Sequence, residues 1–147
     1  WVETAHYRFR VIPTPGHSPD HICLYEPERG WLFSGDAYIG GRDRAARADY
    51  CIEAIISSLK RLASLPATQL FPGSGTVRTN PAGELARKVA QMEEFGAEVR
   101  RLHAQGLSVG AIRRQLLGRE TLITYLTLGH FRGSHLVRLY LHGGTHA

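Results

Sequence analysis

Apolar positions along this chain change period twice. From Tyr7 to Ile12 (Tyr-Arg-Phe-Arg-Val-Ile) they alternate with basic residues and then run together, as in a half-buried strand. Ile22-Cys23-Leu24-Tyr25 reads as a second strand, and Trp31-Leu32-Phe33 as its hairpin partner across the Glu26–Gly30 turn. The period then becomes helical. Ile52, Ile55, Ile56, Leu59 and Leu62 line one face of a helix expected over Asp49–Leu65, with Asp49 as its cap and Pro66 beyond its end. Gln69-Leu70-Phe71 is a short strand. Asn80-Pro81 opens a long helix whose stripe is Leu85, Val89, Met92, Phe95, Val99 and Leu102, running to about Gln105. Gly106, Gly118 and Gly129 then punctuate three short helices. These are Val109–Leu117, capped by Ser108 and stapled by Leu107 and Ile112, then Glu120–Leu128, then Ser134–Leu141, which Gly143-Gly144 stops.

Strands that alternate with a packed helix imply a layered α/β arrangement. The expected organisation is an α/β part over 1–80, a connecting helix over 81–105, and a helical domain over 106–147.

Composition adds limits. The chain has 147 residues, 43% hydrophobic and 21% charged, as in ordinary globular proteins. Its apolar runs are too short for a membrane span, and no signal peptide is visible at its start. It begins at Trp1 and its only methionine is Met92, so it is expected to be a piece of a longer protein. Cys23 and Cys51 are too far apart for a CxxC site and read as free thiols in a reducing, cytoplasmic compartment. The net charge of +5 lies wholly in the last third, where Arg100, Arg101, Arg113, Arg114, Arg119, Arg132 and Arg138 face only Glu98 and Glu120. This asymmetry is read as a solvated helical surface, and nucleic-acid binding is not expected. His130, His135, His142 and His146 are expected at the surface. His142 and His146 would suit a helical metal pair, but Gly143-Gly144 interrupts it.

Candidate chemistry sits at the strand ends. Thr14-Pro15-Gly16-His17-Ser18-Pro19-Asp20-His21 delivers a histidine after the first strand, and Phe33-Ser34-Gly35-Asp36 delivers a carboxylate after the hairpin. A metal with nitrogen and oxygen ligands needs side chains held by rigid turns in this way. Taken alone, these are ordinary turn residues. The loop after Asp36 adds Tyr38, Arg42 and Asp43 as candidate substrate contacts.

A third element follows the helix, Phe71-Pro72-Gly73-Ser74-Gly75. The order TPGH-SPDH, SGD, SLKRLASLP and PG-x-G over roughly residues 6–80 resembles the C-terminal half of metallo-β-lactamase fold hydrolases. Leu117-Gly118-Arg119-Glu120 and Gly129-His130-Phe131 resemble a small winged-helix-like domain appended to some of them. The resemblance implies half of an αβ/βα sandwich followed by a helical domain. It implies His17 as a ligand of a first metal, Asp36 as a carboxylate that bridges to a second metal or touches the attacking water, and His21 as a supporting histidine that does not ligate. It also implies zinc, or iron or manganese, one or two ions in the parent protein, and hydrolysis of an ester, thioester, amide or phosphodiester of a small molecule.

Two departures temper this. The family's HxHxDH ligand motif is absent. Ser74 stands where the PG-x-G turn usually carries a histidine, and a neutral hydroxyl is a poor zinc ligand beside imidazole. The chain alone is therefore expected to hold metal weakly and to be inactive. A half-sandwich would bare an apolar sheet face, so a homodimer or a complex with a separate N-terminal half is expected, with no membrane partner. The competing reading is a non-catalytic regulatory or nucleic-acid-binding module with vestigial metal residues.

Overall fold

The computed structural model describes residues 1–119 and 122–142, apart from the side chain of Ile123. The expectations for Glu120, Gly143-Gly144 and His146 lie outside the described residues. Five strands, β1 (Val2–Glu3), β2 (Arg8–Pro13), β3 (Ile22–Glu26), β4 (Trp31–Gly35) and β5 (Gln69–Pro72), form one sheet in sequence order. The helices are α1 (Ile52–Ala63), α2 (Pro81–Ala104), α3 (Val109–Leu117), α4 (Leu122–Leu126) and α5 (Gly133–His142). None of the described helices is long and apolar enough to cross a membrane.

The first three pairings are antiparallel, and β4 pairs with β5 in parallel, with α1 as the crossover between them. β2, β4 and β5 therefore run in the same direction. Their carboxyl ends share one edge of the sheet, and the turns that follow them are the ones carrying His17, Asp36 and Ser74.

Period-two alternation divides the sheet into two faces. Ile12, Cys23, Tyr25, Leu32 and Leu70 point into the core. Leu59 and Leu62 of α1 and Leu85 of α2 are fully buried, each contributing about 1.5–3 kcal/mol by leaving water. The opposite face carries an aromatic ladder. Phe33 stacks on Phe71 at 4.6 Å, Phe9 meets Phe33 edge-on at 5.9 Å, and Tyr7 and Phe71 flank Trp31 at 5.9 and 6.0 Å. These rings are only half-buried, except for exposed Tyr7. The bared face thus carries alternate residues of each strand.

Two local expectations change. Helix α1 starts at Ile52, and Asp49 does not cap it. Its carboxylate is instead taken by Arg47, at 2.9 and 2.5 Å, which holds the Asp49 carboxyl below its usual range. A short guanidinium fork next to it outcompetes the backbone amides. His135 is half-buried, not at the surface, and its Nδ1 is sealed without a hydrogen-bond partner among the described residues. It lies between buried Gly133 and Leu136 on α5, whose apolar face is wider than a stripe. The other caps form as expected, with Asn80 Oδ1 accepting from the Gly83 amide and Ser108 Oγ from the Ala111 amide.

The chain forms two compact units. One comprises residues 1–41 and 53–90, the other 42–52 and 91–147. Within the second, Ala46 and Arg132 bridge through both backbone groups, and Phe95 packs edge-on against Tyr140 at 5.3 Å.

Candidate metal centre

The first turn is built from the chain inward. β2 ends at Pro13, and the next residue, Thr14, is buried. The Thr14 amide donates to the His21 carbonyl at 2.8 Å, closing residues 14–21 into a loop. Two helix α1 side chains clamp its backbone: Ser58 Oγ donates to the Pro15 carbonyl at 3.0 Å, and Arg61 donates to the Pro13 carbonyl. Gly16 supplies the left-handed φ of +129° that the turn needs before His17.

The second turn is as constrained. Gly35 at φ +48° lets β4 bend into Asp36, and a Cβ there would stand 3.2 Å from His21 Nε2. The third turn closes against the second: the Gly73 amide donates to the Gly35 carbonyl at 3.0 Å. A Cβ at Gly73 would meet Asp36 Oδ1 at 2.8 Å.

These turns bring His17 Nε2 to 3.7 Å from Asp36 Oδ2, with the His17 side chain 28% and the Asp36 side chain 61% exposed. His21 lies behind, its ring 5.9 Å from that of His17. The Thr14 hydroxyl sits 2.7 Å from His21 Nδ1 and 3.3 Å from Cys23 Sγ, and Cys23 donates to the Ser34 carbonyl at 3.4 Å. Burial is the main cause that lowers the His21 pKa, and the neighbouring His17 adds to it. Burial likewise raises the Cys23 thiol.

The other candidates fall elsewhere. Ser74 is exposed on the turn that abuts Asp36. Tyr38 is 3% exposed and faces inward, its hydroxyl donating to Glu84 Oε2 at 2.5 Å, and burial followed by Glu84 raises its pKa. Arg42 is exposed and Asp43 half-buried, both in the second compact unit. Reading single motifs could not find Thr14, Ser58 and Gly73, because their importance comes from what the fold packs against them.

The donor chemistry suits a metal in part. Two ligands of one tetrahedral zinc lie roughly 3.3 Å apart, close to the separation observed. No cluster of three or more His, Cys, Asp or Glu able to hold an ion occurs among the described residues. The pair fits two positions of a centre that needs three or four.

Residues 7–74 match the Metallo-beta-lactamase superfamily. This segment belongs to that superfamily. Its curated relatives include the thioesterase pkgB of Emericella nidulans, 33% identical over 82 residues covering 56% of this chain and 23% of that protein. They also include a hydroxyacylglutathione hydrolase of Legionella pneumophila, 38% identical over 72 residues covering 48% and 28%. The chain spans about a quarter of the length of such relatives. A beta-lactamase domain protein from Burkholderia ambifaria superposes with a TM-score of 0.75 at 24% identity, covering 95% of this chain and 44% of that one. This last likeness is one of fold. The metallo-β-lactamase-like α/β architecture expected from the motifs is thus the one observed.

Proposed function

We propose that this chain carries part of the metal centre of a hydrolase, with His17 and Asp36 as two of its ligands. The observation that carries the reading is their 3.7 Å approach from two independently constrained turns. Zinc, or iron or manganese, would be held by these residues together with donors from outside the described residues. A metal so placed lowers the pKa of bound water to about 7, supplying hydroxide at neutral pH.

The chain's own residues do the positioning. Thr14 and Ser58 hold the His17 loop. Gly35 and Gly73 fix the Asp36 backbone, and the exposed carboxylate is open to accept a hydrogen bond from water. His21, tied to Thr14, backs the His17 ring and does not ligate. Hydrolysis of a thioester is the reading that the relatives favour, since a thioesterase and a hydroxyacylglutathione hydrolase are among them. Ser74 provides no imidazole for a second ion, which favours one firmly held metal in a complete centre.

The chain alone, with two donors, is proposed to bind zinc weakly and to turn over nothing measurable. Thiol release from a panel of acyl thioesters, assayed with the 147-residue chain plus zinc, tests this. Turnover above background that Asp36→Asn leaves intact would remove the pair from the function.

A further inference from the structure

The Asp36 side chain is 61% exposed, so its direction is set by the backbone on either side of it. Upstream, the Gly35 carbonyl is held by the Gly73 amide at 3.0 Å. Downstream, the hold is Tyr38, the one buried residue in the stretch 36–41. It is fastened at both ends. Its carbonyl accepts from the hydroxyl of fully buried Ser34 at 3.5 Å, and its own hydroxyl donates to Glu84 at 2.5 Å. The Ala37 amide donates to the Ser34 carbonyl at 3.1 Å, which closes a turn around Asp36.

Glu84 is a firm anchor. It stands in the first turn of α2, capped by Asn80 and seated in the core through Leu85 and Val89. It also accepts from Arg87 at 3.3 Å. One helical turn further, Lys88 Nζ donates to the Gly41 carbonyl at 3.0 Å. Residues four apart share a helix face, so one face of α2 holds the loop after Asp36 at two points. Helix α1 holds the His17 loop in the same manner, through Ser58 and Arg61.

We propose that Tyr38 is a positioning residue of the His17–Asp36 centre. Its hydroxyl, anchored on Glu84, keeps the Asp36 backbone in the direction that brings the carboxylate to His17. Metal donors need placing to within roughly 0.5 Å, which takes hydrogen bonds behind them as well as the donors themselves. The positioning stands on the geometry of the pair. Its effect on a metal rests on the hydrolase reading above.

Tyr38→Phe removes the hydroxyl, keeps the ring and leaves Glu84 its bond from Arg87. Tyr25→Phe is the matched control. Tyr25 is 5% exposed and donates to the Pro66 carbonyl at 3.3 Å, before β5 and so at the sheet edge opposite the site. Glu84→Gln keeps an acceptor for the Tyr38 hydroxyl and serves as the conservative variant. Urea unfolding measures the stability each loses. NMR of the 147-residue chain then gives two readouts. The first, without metal, is the cross-peak intensity between the His17 ring protons and the Asp36 methylene protons. The second is zinc half-saturation at the His17 ring. Tyr38→Phe should weaken the cross-peaks severalfold and raise half-saturation by about threefold or more. Tyr25→Phe and Glu84→Gln should change neither. A chain that shows the cross-peaks but no zinc response refutes the metal reading and leaves the first comparison to decide the role of Tyr38. Cross-peaks as strong in Tyr38→Phe as in the unaltered chain overturn the proposal. So does an equal loss in Tyr25→Phe, which would mark the effect as one of general stability.

Discussion

Gly73→Ala tests how the fold sets the donor pair without touching either donor. The added Cβ would stand 2.8 Å from Asp36 Oδ1, 3.2 Å from the Gly35 carbonyl oxygen and 3.3 Å from its carbon. The carboxylate is exposed and can rotate away at little cost, whereas the Gly35 backbone is held by β4 and must give by a few tenths of an ångström. The stability cost is therefore modest, about 1 kcal/mol, at the low end for overpacking. The effect on the site is larger, because the relief comes from Asp36 turning away from His17. Gly75→Ala is the matched control. Its φ of +82° also costs about 1 kcal/mol, but nothing lies within 4 Å of the new methyl. Urea unfolding should show both variants destabilised by similar amounts. Zinc titration followed at the His17 ring protons should show half-saturation raised about tenfold or more in Gly73→Ala and little changed in Gly75→Ala. Equal zinc responses in the two variants would refute the reasoning that the Gly73 turn positions Asp36.

The remaining predictions concern the thiols, the third turn and the bared sheet face. Cys23 is held as the neutral thiol by burial. The stability this gives is present below the free-thiol value of 9.0 and is lost as pH rises through the higher folded value. Native alkylation at pH 8, read by mass spectrometry, should spare Cys23 until denaturant is added, and rapid native labelling there would contradict its burial. Ser74→His should tighten zinc binding at least tenfold by adding an imidazole to the turn that abuts Asp36, which calorimetry can read; an unchanged affinity would place that turn outside the centre. The aromatic face of Phe9, Trp31, Phe33 and Phe71 is proposed as the contact with a second copy of this chain. Light scattering at micromolar concentration should show a dimer that Phe33→Asp dissociates, and a well-folded wild-type monomer would exclude it.

Period was enough to find β2 to β5 and α1 to α3, because each has a clean alternation or stripe bounded by Pro, Gly or a capping side chain. It missed β1, where two residues, Val2 and Glu3, give no period to read. It misjudged Asp49 because Arg47, two residues away, competes for the carboxylate that would have capped the helix. The sequence showed His17 and Asp36 as strand-end residues. That they meet follows from β2 and β4 being co-directed, a property of the pairing that no motif states.

The most direct test of the donor pair is zinc titration of the isotopically labelled chain, with His17 and Asp36 observed together, followed by metal analysis after dialysis against a mild chelator. The two residues should respond in parallel and saturably at weak affinity, Asp36→Asn should abolish the His17 response, and dialysis should leave far less than one equivalent of zinc. No response at His17 or Asp36 would contradict the metal centre. Near one equivalent retained after dialysis would contradict its two-donor character and require a full ligand set within this chain.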